Sequence, residues 1–166
     1  MEMSLAAMVS EPRSSCDWVG VRLEVTAATR ADIAAHLLRC DSRFIPRLSS
    51  RLDIADYAGK IHGKAVTFEA WNADDLVGLV AAYLNDPVGE DGYVTSVSVE
   101  RAFQGSGLAS TLMQTCIHYA RERGFTRIGL EVGAANRRAV ELYRRLGFET
   151  SGQSSGLLRM TLVLER

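Results

Sequence analysis

The sequence predicts a single mixed α/β domain of the α+β kind, and three observations carry that expectation. An alternating run ending in Val97-Ser98-Val99 leads through a turn with two glycines, Gly105-Ser106-Gly107, straight into an amphipathic helix. Two β-rich runs, 65–71 and 76–84, are joined by Asn72-Ala73-Asp74-Asp75, a hairpin signal that makes part of the sheet antiparallel. The elements follow the order β-α-α-β-β-β-α-β-α-β-β, with no internal repeat and no interdomain linker.

Taken in order, residues 1–18 hold a short apolar run, Met3 to Val9, with Glu2 where a signal peptide needs positive charge. They are expected to form a loose arm ahead of a domain over 19–166. Residues 19–27 alternate as a first strand. Thr29 and Asp32 resemble a capping box, followed by Ile33, Leu37 and Leu38 at helical spacing. A loop broken by Pro46 comes next, and Ser49 or Ser50 can cap a second helix through Leu52, Ile54, Tyr57, Ala58 and Ile61, closing at Gly63. The hairpin and a polar turn at 85–92 precede the strand at 93–99. The helix after Gly107 carries Leu108, Leu112, Cys116 and Tyr119 on one face and stops at Gly124. Residues 126–132 alternate as a strand. Asn136 can cap a helix with Ala139, Leu142, Tyr143 and Leu146 on one face, ending at Gly147. A strand starting at 148–150, a polar turn at 151–156 and a strand at 157–164 complete the chain.

With 166 residues, 47% of them hydrophobic and 23% charged, the composition is that of an ordinary globular chain. A net charge of −1 gives no broad electrostatic case for nucleic acid. The basic groups around Arg121 to Arg127 and Arg137 to Arg145 read as solvated helix faces. No stretch reaches the length of a membrane span. Cys16, Cys40 and Cys116 lie far apart without a pairing framework, which favours a reduced, cytoplasmic setting. The three histidines show no metal-ligand spacing, so no metal is expected.

The glycine turn places unpaired backbone N–H groups at a helix N-terminus, a geometry suited to phosphate or pyrophosphate. A dinucleotide fingerprint fits poorly, because Ser110 stands at its third glycine position and antiparallel hairpins precede it. A P-loop needs a lysine that this turn lacks. Gln104-Gly105-Ser106-Gly107-Leu108-Ala109 instead resembles the Gln/Arg-x-x-Gly-x-Gly/Ala segment of the GCN5-related N-acetyltransferase superfamily. A second block resembles the same superfamily in the same order: Leu130-Glu131-Val132, Asn136, Ala139, Leu142-Tyr143 and Leu146-Gly147-Phe148.

The resemblance covers roughly residues 20–165. It implies a largely antiparallel central sheet of about six or seven strands flanked by about four helices, with acetyl-coenzyme A as cosubstrate. It also implies that the N–H groups from Gln104 to Ala109 hold the pyrophosphate and that Val97 and Val99 lend backbone groups to the pantetheine arm. Gln104 stands where many relatives carry arginine, so it adds a donor without a charge. Asn136 becomes a helix cap and a cofactor ligand. Tyr143 is either the acid that protonates the leaving thiolate or a core aromatic. Glu131 is either the base or an exposed strand glutamate. A water chain through Glu69 or Glu131 is the alternative route, since the strand before the glycine turn offers Tyr93, Thr95 and Ser96 in place of the usual glutamate.

In such a fold the acceptor meets the first two helices and the strand-end loops, here Phe44, Arg47, Arg51, Trp71, Tyr83 and Asn85. Arg47 and Arg51 can pair with an acidic acceptor group or simply be solvated. The expected activity is acetyl transfer to a primary amine of a small molecule, amino sugar or peptide N-terminus, with no nucleic acid or membrane partner. A homodimer is left open. The competing reading is an acyl-coenzyme A sensor without turnover.

Overall fold

In the computed structural model, residues 18–85 and 90–165 are described; the expected N-terminal arm up to residue 17, Cys16 within it, and residues 86–89 of the polar turn lie outside them. Seven strands form one sheet: β1 (Val21–Val25), β2 (Val66–Asn72), β3 (Asp75–Tyr83), β4 (Asp91–Val99), β5 (Arg127–Gly133), β6 (Glu149–Ser154) and β7 (Leu157–Val163). Their spatial order is β1-β2-β3-β4-β5-β7-β6. Every neighbouring pair is antiparallel except β4 and β5. A parallel pair needs a crossover, and α3 (Leu108–Glu122) supplies it.

The sheet separates two apolar layers. On one face, Leu108, Leu112 and Cys116 of α3 pack with Phe68, Val80 and Val94, together with Val140 and Tyr143 of α4 (Arg137–Arg145). Gly78 lets α3 lie close: a Cβ there would stand 3.1 Å from the Leu112 side chain and 3.2 Å from Ala70 Cβ. On the other face, Ile33 and Leu37 of α1 (Arg30–Cys40) and Ala58 and Ile61 of α2 (Ile54–Lys64) cover Leu76, Leu79 and Ala81.

The capping box expected at Thr29 and Asp32 forms in both directions, and the Asn136 side chain accepts from Ala139 N–H as the cap of α4. α2 starts later than expected. Ser49 is held instead by the Asp41 carboxylate through its N–H and hydroxyl, both at 2.7 Å, while Ser50 Oγ donates to the Arg47 carbonyl. Asp53 becomes the cap, accepting from Asp56 N–H at 2.9 Å, and the helix runs on to Lys64. The polar stretch 151–154 is strand rather than turn. It lies on the sheet edge with both faces largely wet, so it carries no apolar alternation. Only Ser155 and Gly156 make the turn, both with positive φ.

Candidate active site

The β4–β5 ladder begins at Asp91↔Arg127 and ends at Val94↔Leu130, although β4 continues to Val99 and β5 to Gly133. The two strands part, and a cleft of about 1290 Å³ opens between them. Glu100 N–H donates to the Val77 carbonyl. Because bonded and non-bonded pairs alternate along an antiparallel ladder, the Val97 and Val99 backbone groups face away from β3, into the cleft. Consistent with this, Gln104 Nε2 donates to the Val99 carbonyl at 3.3 Å.

At one end of the cleft lies the glycine turn. Gly105 and Gly107 take φ of +77° and +82°, a region open to glycine at no steric cost. α3 begins with no side-chain cap and no acidic residue in its first turn, whereas side chains cap α1, α2 and α4. The first backbone donation into the helix is Thr111 N–H to Gly107, so the preceding N–H groups have no intrahelical partner. Ser106 is turned differently from its neighbours. Its hydroxyl donates to the Phe103 carbonyl, its own carbonyl accepts from Trp18 Nε1 at 3.2 Å, and it does not line the cleft. Gln104, Gly105, Gly107, Leu108 and Ala109 do.

The missing charge at Gln104 is supplied from α4. Arg138 lines the cleft, and its Nη2 is 3.4 Å from where a Cβ on Gly105 would stand. Arg43, Arg51, Arg101 and Arg145 also line it, against Glu131 and Glu141 as the acids among the described residues. The cleft is thus locally cationic in a chain of net charge −1. Sequence reasoning placed Arg138 on a solvated face. The available signal was a basic pair in the first turn of a helix, which opposes the helix dipole unless an anion lies nearby.

Tyr143 is 7% exposed and lines the cleft, with its ring edge-on to Phe148 at 6.0 Å. Burial pushes its phenol up to about 12, so it stays protonated at neutral pH. Asn136 also lines the cleft. Its Oδ1 is spent on Ala139 N–H at 3.3 Å, leaving the side-chain NH2 available. Glu131 sits where the strands part, half-exposed, 3.6 Å from Arg159 Nη2. Glu69, offered above as a relay, is not in the cleft. It is fully buried and takes donors from Ala27 N–H, Ala28 N–H, Thr67 Oγ1 and Trp71 Nε1.

The acceptor residues expected from the sequence divide. Phe44 and Arg51 line the cleft. Trp71 does not: it is buried in the layer under α1 and α2 with Glu69 as its partner. Tyr83 lies in the same layer beneath Lys60, Arg47 and Asn85 are exposed, and none of the three lines the cleft. Sequence reasoning did not single out His36. It is fully buried on α1, and its Nε2 lies 2.8 Å from Ser98 Oγ at the cleft wall. Among the described residues, no group of three or more His, Cys, Asp or Glu side chains is placed to hold a metal, and no helix is long and apolar enough to cross a membrane.

A model of the acetyltransferase (GNAT) family matches residues 31–148. Streptothricin acetyltransferase from Streptomyces lavendulae is 31% identical over 121 residues, covering 73% of this chain and 52% of the relative. Mycothiol acetyltransferase from Thermobifida fusca is 45% identical over 76 residues, covering 46% and 22%. The chain spans about half the length, or less, of the curated relatives it matches. A Salmonella typhimurium protein solved with its cofactor acetyl-CoA shares the fold at a TM-score of 0.68 and 20% identity, over 88% of this chain and 95% of that one. The matched segment contains both the glycine turn and α4 with its Asn136 cap, and on it the chain belongs to the acetyltransferase (GNAT) family.

Proposed function

We propose that this chain is an N-acetyltransferase that moves the acetyl group of acetyl-coenzyme A directly to a primary amine. The observation that carries this reading is the parting of β4 from β5 beside the uncapped, glycine-led start of α3. An extended pantetheine arm would bond the exposed edge of β4 at Val97 and Val99, as an added strand does. The N–H groups from Gly105 to Ala109 would hold the pyrophosphate, with Arg138 adding the charge that Gln104 lacks. The relatives named for mycothiol and streptothricin acetylation support a small-molecule acceptor; an amino sugar and a peptide N-terminus are the other acceptor classes of this reading.

In the transfer, the amine nitrogen bonds to the acetyl carbon and the carbon–sulfur bond breaks. Val99 N–H, on the edge of β4 that faces away from β3, would donate to the thioester oxygen. Tyr143, protonated and facing the cleft, would give its proton to the departing sulfur. Glu131 would take the proton that the amine loses, directly or through water. Asn136 would hold the cofactor arm through its free NH2.

The test is thiol release from acetyl-coenzyme A with a tripeptide bearing a free amino terminus, glucosamine and spermidine as acceptors. Release with at least one amine is expected. Binding with no release supports an acyl-coenzyme A sensor, and no binding removes both readings.

A further inference from the structure

Ser96 and Ser98 on β4 stand opposite Ala81 and Leu79, whose side chains lie in the layer beneath α1 and α2. Both serines line the cleft on that side, away from the α3 layer. The bonding around Ser98 fixes its hydroxyl in one direction. His36 Nδ1 is 2.8 Å from the Leu76 carbonyl, which can only accept, so Nδ1 carries the ring hydrogen. The imidazole is fully buried, and burial lowers it to about 4, so it is neutral at physiological pH. Its charged neighbours are Arg39, which also donates to Leu76, and Glu100, the partner of Arg39; the Cys40 thiol lies 3.8 Å from Nε2. A neutral ring with hydrogen on Nδ1 has a bare Nε2, and Ser98 Oγ, 2.8 Å away, must donate to it.

Ser98 has then spent its single proton, and only lone pairs remain toward the cleft. Ser96 Oγ beside it is buried and meets no partner in good hydrogen-bond geometry among the described residues, with the Tyr57 hydroxyl as its polar neighbour. A ligand with N–H hydrogens satisfies both. We infer that Ser98 is the residue that receives an N–H of the incoming acceptor amine, with His36 as the positioning residue that turns its hydroxyl. An amine donating one hydrogen to Ser98 keeps its lone pair free for the thioester. This rests on the acetyltransferase reading above and extends it to the acceptor's reacting nitrogen.

Two measurements test it. Nitrogen NMR of imidazole-labelled, unaltered protein should show His36 protonated at Nδ1 and bare at Nε2 at pH 7; a hydrogen on Nε2 overturns the inference. In kinetics, using whichever of the tripeptide, glucosamine and spermidine turns over fastest, Ser98→Ala should raise the amine KM roughly tenfold. Its Kd for acetyl-coenzyme A should stay within about twofold, and Ser98→Thr, which keeps the hydroxyl, should stay near the unaltered protein. An unchanged amine KM in Ser98→Ala overturns the inference, as does an equal loss of acetyl-coenzyme A binding. If Ser98→Ala does not fold, the NMR result and Ser98→Thr decide. Failure of the unaltered protein to release thiol with any amine removes the acetyltransferase reading itself, a different outcome.

Discussion

Arg138 Nη2 lies 3.4 Å from the position a Cβ on Gly105 would occupy, so the guanidinium closes over a turn whose own side chains are uncharged. Arg138→Ala is expected to weaken acetyl-coenzyme A binding about tenfold, the effect of one charge-assisted hydrogen bond. Adding Gln104→Arg to that variant should restore part of the affinity. Calorimetry at two salt concentrations checks both, because the lost component is the one that salt screens.

Tyr143→Phe should lower kcat at least tenfold while leaving the Kd for acetyl-coenzyme A nearly intact. The change removes only the hydroxyl and keeps the ring against Phe148. Unchanged turnover excludes Tyr143 as the acid.

Glu131→Gln should depress kcat/KM and remove the acidic limb of its pH profile. Its pair with Arg159 is solvent-exposed at both ends and adds little stability, so the melting temperature should hardly move. A profile with its acidic limb unaltered excludes the base role.

Glu69 gathers the loop ahead of α1 and two side chains of its own strand, β2, on one carboxylate. Glu69→Ala strands Ala27 N–H, Ala28 N–H, Thr67 and Trp71, and should cost about 3 kcal/mol in urea unfolding. Glu69→Gln, which still accepts, should cost less. Neither should alter acetyl-coenzyme A affinity in the folded fraction, since Glu69 is outside the cleft.

His36 titrates near 6.5 when unfolded but is lowered to about 4 in the fold by burial. Below pH 6.5 the unfolded chain binds a proton that the native one refuses. Its contribution to stability is therefore full above pH 6.5 and is lost as pH falls toward 4, worth at most roughly 3 kcal/mol. Urea midpoints at pH 7 and pH 4.5 should differ by less in His36→Gln than in the unaltered protein.

The elements with apolar periodicity were legible, as were the Thr29 and Asn136 caps, because each is written within one turn of sequence. β6 was not, since an edge strand wet on both faces has no alternation to read. The α2 cap was misplaced because Asp41, eight residues upstream of Ser49, claims that serine through folding of the loop. Within the site, the glycine turn and Tyr143 were visible as local patterns. Arg138 over Gly105 and His36 beneath Ser98 were not, because each pair comes from elements distant in sequence, and Trp71 shows the converse, an aromatic placed at the site by analogy and found in the core.

The early end of the β4–β5 ladder also makes the free protein's sheet incomplete along its own middle. The amides of Val97 and Val99 have no strand across from them, so they should exchange with deuterated solvent far faster than those of β3. A bound pantetheine arm would slow them and raise the unfolding temperature with the logarithm of its concentration over its Kd. The donor would then serve as a removable interior strand, and the fold would reach its full rigidity only when charged with its acetyl group's carrier.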